Sequence, residues 1–297
     1  MKKRVVVGSR ESRLAVVQAQ TLVDYINGSC PGYEAVLVTM KTTGDRLLDR
    51  RLDQAGGKGL FVKELEAALF ERRADLCVHS LKDVPVDVPR ELPLVGYAKR
   101  EDVRDVLVMA QGRSVSDLSL PDLSLPVGSA SLRRTLQLRS LYPHVRVEPV
   151  RGNVLTRLAK LDAGEYGALV LAAAGLLRLG LGGRISRYFT VDEMLPAGGQ
   201  GILAVQGRAG EDYSYLDGYF DAEAEAEARA ERAFLRELDA GCASPVAAYA
   251  TVKDGVLTLR GFCDTYNGRY ERESATGSTD DAEQIGIGLA RYMRDGL

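Results

Sequence analysis

Apolar runs and helix-period segments alternate over the first eighty residues. Residues 4–8 (RVVVG) form a continuous apolar run typical of a buried strand, and residues 34–40 and 74–80 resemble it. Between these runs, residues 12–27 and 60–73 carry apolar side chains at helical spacing. The order β-α-β-α-β predicts an α/β domain with a largely parallel sheet.

The same alternation returns in the middle third of the chain. We expect strands at 105–110, 145–150 and 168–174, with helices over 130–142 and 153–162 between them. This repetition predicts a second α/β domain of similar make-up.

Two segments connect these predicted domains. Residues 98–105 (AKREDVRD) are short and polar, as expected of a hinge. Residues 195–208 form a second, glycine-rich connection, and we expect their apolar part (GILAV) to return as a strand to the first sheet.

The last third has a different pattern. Alanine and glutamate dominate 222–238, and their propensity favours a helix. Short strands are predicted at 246–252, 256–262 and 268–274, followed by a closing helix over 281–295. The expected fold class is therefore α/β, with two α/β domains and a smaller α+β C-terminal domain.

Composition limits the class of protein. The 297 residues are 45% hydrophobic and 27% charged, with a formal net charge of −2, and no apolar run is long enough to cross a membrane. Arg10 and Glu11 interrupt the apolar N-terminus, so we expect a cytoplasmic protein without a signal peptide. Four cysteines without a CxxC pair fit a reducing compartment, and no Cys/His cluster predicts a metal site.

A cluster of arginines stands out against this acidic background. Residues 129–158 contain six arginines and one acid, Glu148. Arg133 and Arg134 begin a helix, where the dipole disfavours cations, and Arg151 lies at a strand-to-helix turn. A solvated helix face explains any single arginine, but the set favours a cleft that binds a small polyanion, since arginine pairs with carboxylate or phosphate through two hydrogen bonds. Nucleic acid is disfavoured because the chain is acidic and has no Trp.

Polar residues also follow the predicted strand at 74–80. Ser80, Lys82 and Asp83 cluster at its end, and His79 alternates with Cys77 as a core residue would. Asp83 beside Lys82 is either a structural ion pair or a carboxylate that transfers protons and stabilises a developing cation in the cleft.

Three further positions are candidates for chemistry. Arg10 and Ser12 follow the first strand, and Lys58 lies in a glycine loop that does not match a nucleotide-binding motif. Cys242, in a turn after the Ala/Glu helix, is either a buried inert thiol or a reactive one on a loop.

With these residues assembled, the sequence resembles the porphobilinogen deaminase (hydroxymethylbilane synthase) family over nearly its whole length. The resemblance rests on ten motifs in the family's order: GSRESRLA, KTTGD, GGKGLFVKELE, VHSLKDVP, REDVRD, SLRR, RGNVLTRL, LVLAAAGLLRLGL, LPAGGQG and GCASPV.

The resemblance implies a fold and a reaction. Two domains like those of periplasmic solute-binding proteins (1–98 with 200–218, and 105–195) would enclose the active site, and a third (221–297) would carry the cofactor cysteine. Four porphobilinogen molecules would be deaminated and joined head to tail on a dipyrromethane cofactor, held by a thioether to Cys242. Water would then release linear hydroxymethylbilane. The implied protein is a monomer whose partner is porphobilinogen.

The resemblance also implies residue roles. Asp83 matches the catalytic carboxylate. The implied binders of cofactor and substrate carboxylates are Arg10, Ser12, Lys58, Ser80, Lys82, Ser129, Ser131, Arg133, Arg134, Arg151, Gly152, Asn153, Arg157, Arg178 and Gln200. The chain departs from the common pattern at Gln54, Ser129 and Ala240, where lysine, threonine and glycine are frequent.

Two other functions remain open from the sequence alone. A non-catalytic two-lobed binding module for a polycarboxylate would share the cleft but would not require Cys242. A nucleic-acid binder ranks behind it, and retention on heparin with steep salt dependence would support it.

Overall fold

The computed structural model describes residues 2–43, 62–111, 125–241, 244–265 and 269–296. Its strands are β1 (Lys3–Arg10), β2 (Tyr33–Met40), β3 (Leu76–Ser80), β4 (Leu94–Tyr97), β5 (Asp105–Met109), β6 (Val127–Gly128), β7 (Val147–Glu148), β8 (Ala168–Ala172), β9 (Arg187–Tyr188), β10 (Leu203–Gln206), β11 (Ala247–Lys253), β12 (Val256–Asp264) and β13 (Tyr270–Ser278). Its α-helices are α1 (Arg13–Ser29), α2 (Lys63–Phe70), α3 (Leu132–Leu141), α4 (Val154–Asp162), α5 (Ala173–Arg178), α6 (Ala222–Glu237) and α7 (Ala282–Asp295).

The first sheet has the strand order β2-β1-β3-β10-β4. Strand β1 pairs in parallel with β2 and β3, whereas β10 is antiparallel to both of its neighbours. The predicted return of GILAV to this sheet is confirmed, and it makes the sheet mixed. We call this sheet, with α1 and α2, the first lobe.

The second sheet repeats that arrangement with the order β7-β6-β8-β5-β9. Strands β6, β7 and β8 are parallel, and β5 is the inserted antiparallel strand. We call this sheet, with α3 to α5, the second lobe. The chain therefore crosses between the lobes twice, from β4 to β5 and from β9 to β10.

Several predicted strand boundaries are wrong. The strand predicted over 268–274 continues to Ser278, and two others differ for a local reason. The strand predicted over 168–174 ends at Ala172, because the Ala-rich segment that follows starts a helix at Ala173. The strand predicted over 145–150 pairs only over Val147–Glu148, and the next residue, Pro149, has no N–H to donate.

Helix α1 shows how the sequence builds the first lobe. Ser12 caps its N-terminus by accepting a hydrogen bond from the Ala15 N–H. Leu22 and Ile26 recur at helical spacing and are completely buried, packing in one cluster with Val5 and Val7 of β1. The cap therefore lies in the short turn between the end of β1 and the start of α1.

A third unit follows the second crossing. Its antiparallel sheet β11-β12-β13 packs against α6 and α7, with Phe234 of α6 completely buried in the shared core. The expected fold class, α/β with a smaller α+β unit at the C-terminus, is confirmed. Among the helices described, none combines the length and the apolar character that crossing a bilayer requires.

Helices α6 and α7 approach closely at Gly286. A Cβ atom there would lie 2.3 Å from the Ala230 carbonyl oxygen and 2.8 Å from the Ala233 Cβ. Two residues further, on the other side of the helix, Gly288 has no atom within 4 Å of the corresponding point. The two glycines therefore differ in the space around them while sharing one helix.

We expect Gly286→Ala to destabilise the protein by about 1–3 kcal/mol, because the helices must move apart to admit the methyl group. Gly288→Ala should stabilise it by about 0.5–1 kcal/mol through helix propensity. Urea unfolding of both variants measures the difference. Equal effects from the two substitutions would contradict the close approach.

Candidate functional site

A small cavity lies between the two lobes. Both lobes and the second crossing line it, with Leu14, Gln18, Ser80, Lys82, Ala172, Ala174, Gly175, Arg178, Gly199, Gly201 and Ile202. Leu14 and Gln18 belong to α1, Ser80 ends β3, and Arg178 ends α5. The predicted residues Ser80, Lys82 and Arg178 therefore share one cavity although they are distant in sequence.

One hydrogen bond and one close approach connect the walls of this cavity. Arg178 of the second lobe donates from Nη2 to the Gly201 carbonyl oxygen on the second crossing, at 2.6 Å. Gly175 lies so close to α1 that a Cβ there would meet the Leu14 Cδ2 at 3.5 Å. Burial lowers the pKa of Arg178, but a guanidinium remains charged at neutral pH.

The end of β3 presents the predicted catalytic segment. Residues Leu81–Asp83 form one 3-10 turn directly after the strand. His79 is buried, hydrogen-bonded to Gln206 at 3.0 Å, and burial lowers its pKa to about 4. The expectation that His79 is a core residue is confirmed, which leaves Lys82 and Asp83 as the candidates for chemistry at this strand end.

Asp105, the first residue of β5, binds both arginines that begin α3. Its Oδ2 accepts a hydrogen bond from Arg133 Nη1 at 2.7 Å, and its Oδ1 accepts from Arg134 Nη2 at 2.7 Å and Nε at 3.0 Å. Asp105 has no exposed surface. Burial opposes its charge, but Arg133 and Arg134 outweigh burial and hold the pKa of this carboxyl well below its usual range.

Gln200 extends this cluster to the first lobe. Its Nε2 donates to Asp105 Oδ1 at 3.0 Å and to the Val103 carbonyl oxygen at 2.7 Å. Its Oε1 accepts from Lys82 Nζ at 3.2 Å. Gln200 is completely buried and lies on the second crossing, while Val103 lies on the first, so one amide joins both crossings to Lys82.

The cations of this cluster affect one another. Burial lowers the pKa of Lys82 to about 8; Arg134 and Arg133 act in the same direction, and Asp83 and Asp105 oppose them. Such a group is mostly charged at pH 7 and loses its proton within the mildly alkaline range. A bound carboxylate would raise this pKa, since an opposite charge favours the ammonium form.

Arg157 and the turn before it lie near Arg134 and Asp83. Arg157 donates from Nε to the Gly152 carbonyl oxygen at 2.7 Å, and Gly152 has a φ of +106°, which favours glycine. Burial lowers the pKa of Arg157 to about 10, with Arg134 and Arg151 contributing and Asp83 opposing. The guanidinium is thus still charged at pH 7.

Several predicted residues make local bonds at helix N-termini. Ser131 accepts from the Arg134 N–H, Asn153 accepts from the Thr156 N–H at 3.0 Å, and Ser129 Oγ accepts from the Ser131 N–H. These caps, with Ser12 on α1, orient the first turns of the helices that carry the cations.

The segment after Asp83 is held by the third unit. Arg232 of α6 donates from Nη2 to the carbonyl oxygens of Pro85 at 2.8 Å and Val86 at 2.7 Å. Sequence reasoning missed this contact, because a side-chain bond to a backbone carbonyl leaves no motif. Helix α6 therefore supports the turn that carries Asp83.

A second cluster fixes α6 to both crossings. Glu231 accepts from Arg100 Nη1 at 2.6 Å, from the Gly199 N–H at 2.6 Å and from the Ala250 N–H at 2.7 Å. Glu227 Oε2 accepts a hydrogen bond from the same Arg100 Nη1 at 3.3 Å. Burial raises the pKa of Glu227 to about 7, although Arg100 opposes this.

Comparisons with known proteins decide the family. A family model described as porphobilinogen deaminase, dipyromethane cofactor binding domain, matches residues 5–215, and one described as its C-terminal domain matches residues 226–295. The porphobilinogen deaminase of Alkaliphilus oremlandii is 50% identical over 291 residues, covering 98% of this chain and 97% of that protein. That of Ruminiclostridium cellulolyticum is 47% identical over 292 residues, covering 98% of each. The chain belongs to the porphobilinogen deaminase family.

The family membership expected from the ten motifs is thus confirmed, and dipyrromethane is the cofactor of the domain that residues 5–215 match. Among solved structures, the periplasmic aliphatic sulphonate binding protein of Escherichia coli has a TM-score of 0.42 and 15% identity, covering 80% of this chain and 71% of that one. A likeness this low carries no argument.

The porphobilinogen deaminase motifs converge in part. Asp83 lies near enough to Lys82 and Arg157 to influence their pKa values, and these two cations are linked in the same way to Arg133, Arg134 and Arg151. Ser80, Lys82 and Arg178 line one cavity, and Gln200 is hydrogen-bonded to Lys82. Arg10 lies at the end of β1, near enough to His79 to lower its pKa. Lys58, Cys242 and Gln54 lie outside the described residues. Asp105 was absent from the predicted set, although it is the last residue of the REDVRD motif and opens a buried strand.

We expect Glu227→Gln to raise the melting temperature at pH 8 by about 2–4 °C. A carboxyl whose pKa is raised on folding binds its proton more tightly in the folded state, so stability falls as pH rises from about 4.5 to 7. Glutamine removes that loss, and the variant should match the parent near pH 4.5. Thermal unfolding at both pH values measures this.

Glu225→Gln is the matched control, since Glu225 is exposed on the same helix. It should give no gain at pH 8. A gain from Glu225→Gln, or none from Glu227→Gln, would contradict the assignment.

Proposed function

We propose that this chain catalyses the reaction of its family. Four porphobilinogen molecules would lose ammonia and be joined head to tail, and water would release the linear hydroxymethylbilane. The growing chain would be attached to a dipyrromethane cofactor on Cys242. The observation that supports this most directly is the cavity between the lobes, which Lys82 lines from the first lobe and Arg178 from the second, with Asp83 next to Lys82.

The residues present fit a polycarboxylate. Each pyrrole of the ligand carries an acetate and a propionate, so a chain of several pyrroles brings many negative charges into one cleft. Lys82 and Arg178 line the cavity between the lobes, and Asp83 lies near enough to Lys82 and Arg157 to influence their pKa values. Arginine suits this task because its guanidinium is planar, permanently charged and able to bind a carboxylate through two hydrogen bonds.

We assign the binding of cofactor and substrate carboxylates to the residues matched by motif. They are Arg10, Ser12, Lys58, Ser80, Lys82, Ser129, Ser131, Arg133, Arg134, Arg151, Gly152, Asn153, Arg157, Arg178 and Gln200. When bound, the dipyrromethane would supply the free pyrrole carbon to which the first substrate is joined.

Asp83 is the proposed catalytic residue. It would give a proton to the substrate amine, which leaves as ammonia when its C–N bond breaks. The electron pair of the substrate's pyrrole nitrogen would stabilise the positive charge left on the methylene carbon. The Asp83 carboxylate would then accept a hydrogen bond from that pyrrole N–H and stabilise the cation electrostatically. Its support by Arg232 through the Pro85 and Val86 carbonyls fits a group that must be held in place.

The remaining architecture is also proposed from the sequence. We propose three domains (1–98 with 200–218, 105–195, and 221–297), a monomeric state and a cytoplasmic location. The separate family-model matches to residues 5–215 and 226–295 support a boundary before α6.

A denaturing mass spectrum tests the cofactor attachment. We expect a covalent excess of two pyrrole units on Cys242, which remains after unfolding because a thioether does not dissociate. Cys242→Ser should lose this mass. An unmodified wild-type chain that binds carboxylates without turnover would instead support a two-lobed binding module.

We expect Asp83→Asn to lower kcat by at least about 10²–10³-fold while leaving the melting temperature nearly unchanged, because the variant keeps its shape but loses its proton and charge. Turnover of porphobilinogen measures kcat. Asp87→Asn is the control, since Asp87 lies in the same loop, is exposed and pairs only with Arg236 among its described ion pairs. Full activity of Asp83→Asn would remove this residue from the mechanism.

A further inference from the structure

A buried acid sits where the proposed function calls for cations. Asp105 contacts Arg133, Arg134 and Gln200, three residues assigned to ligand binding, and no step of the proposed reaction uses it. An uncompensated negative charge here would repel a polycarboxylate, so its presence requires a separate physical reason.

The two arginines supply that reason. Adjacent guanidiniums repel each other, and both are nearly inaccessible, with 3% of Arg133 and 7% of Arg134 exposed. Backbone carbonyls satisfy further donors, since Arg133 binds the Leu195 oxygen at 2.7 Å and Arg134 the Val170 oxygen at 3.2 Å. The Asp105 carboxylate, shared between the two planar guanidinium groups, compensates their positive charge and fixes the orientation of each group.

The same carboxylate acts on both lobes. Gln200 connects it to the ammonium of Lys82, which neighbours Asp83, while Arg133 and Arg134 belong to the second lobe. Asp105 follows the first crossing and Gln200 lies on the second. The relative position of the cations on the two lobes thus depends on one buried oxygen, Asp105 Oδ1.

We propose that Asp105 is a positioning residue of the active site. It orients Arg133 and Arg134 and, through Gln200, holds the Lys82 ammonium beside Asp83. This inference rests on the proposed function. Asp105 is not a catalytic residue, because it has no exposed surface and its oxygens already accept bonds from protein groups.

The test is Asp105→Asn, which keeps the shape but removes the charge. Loss of positioning should reduce kcat/KM for porphobilinogen about 10²-fold, as misplacement of binding groups does. A purely electrostatic role of Asp105 predicts the opposite change, a rise in kcat/KM. The variant gains one net positive charge and should therefore bind an anionic substrate more tightly. An unchanged kcat with a lower KM would therefore overturn the proposal.

A readout independent of turnover is the titration of Lys82. The charged groups that influence Lys82 are Arg133, Arg134, Asp83 and Asp105, and removing the charge of Asp105 lowers its pKa further. Acetylation of Lys82 by acetic anhydride, followed by peptide mass spectrometry, reports the fraction of neutral amine against pH. The midpoint should move to lower pH in Asp105→Asn, and an unmoved midpoint would contradict the link.

Two controls complete the design. Asp162→Asn breaks a two-point pair with Arg184 in the same lobe, at 2.7 and 3.1 Å, and should leave kcat/KM and the Lys82 midpoint unchanged. If Asp105→Asn does not fold, the Gln200→Met variant tests the connection between Asp105 and Lys82 instead. It removes the bridge to Lys82 but not the pairing of Asp105 with the arginines, and should also lower the midpoint and kcat/KM.

The outcomes separate this inference from the proposed function. Wild-type protein without turnover and without covalent pyrroles would refute the function itself. Active wild type with a folded Asp105→Asn variant whose kcat/KM stays within about threefold would refute only the role of Asp105.

Discussion

Repulsion between like charges is the constraint on which this structure depends. A cleft that binds a chain of carboxylates must hold several cations close together before any ligand arrives. Two like charges 4 Å apart cost about 4 kcal/mol at an effective dielectric constant of 20. The protein offsets this cost with the shared carboxylate of Asp105 and with backbone carbonyls, such as Gly152 and Gly201, that accept bonds from guanidiniums. The residues that bind ligand are therefore inseparable from the residues that make their burial tolerable.

The third unit contributes to the same arrangement from outside the cleft. Two consecutive residues of α6 make hydrogen bonds to different parts of the protein. Glu231 accepts from Arg100 and from the Gly199 N–H, and Arg232 donates to the carbonyl oxygens that follow Asp83. Helix α6 ends at Glu237, shortly before Cys242. The helix that leads to the proposed cofactor anchor thus also supports the turn with the proposed catalytic acid.

Local patterns in the sequence predicted most of the fold. Apolar patterns predicted the β-α-β alternation of both lobes and the α+β character of the third unit, and the return of β10 to the first sheet was expected from the apolar GILAV segment. They missed the short strands β4, β6 and β9 and the helix α5. They failed at Ala173, where an apolar run continues from a strand into a helix and hydrophobicity alone does not distinguish the two. The arginine cluster was visible for the same reason, since its residues lie close together in the chain.

What the sequence could not supply were contacts between distant positions. Asp105 looked like the start of a strand, and nothing local connects it to Arg134 or to Gln200, nearly a hundred residues later. The hydrogen bond from Arg232 to the Pro85 carbonyl oxygen also leaves no pattern in the sequence, because every residue has a carbonyl oxygen. The cluster of arginines in the sequence predicted that a polyanion binds. Only the structure shows which of these cations already pair with groups of the protein.

The inserted strand β10 has a consequence for how the chain folds during synthesis. In the first sheet, β4 joins its neighbours only through β10, and Leu203 pairs with Ser80, about 120 residues earlier. The whole second lobe must therefore be synthesised before the first sheet can be completed. Until then the edge of β3 that pairs with β10 remains unpaired. Unpaired strand edges of this kind are where chaperones bind and where aggregation begins. The C-terminal unit, with its three consecutive strands, carries no such delay.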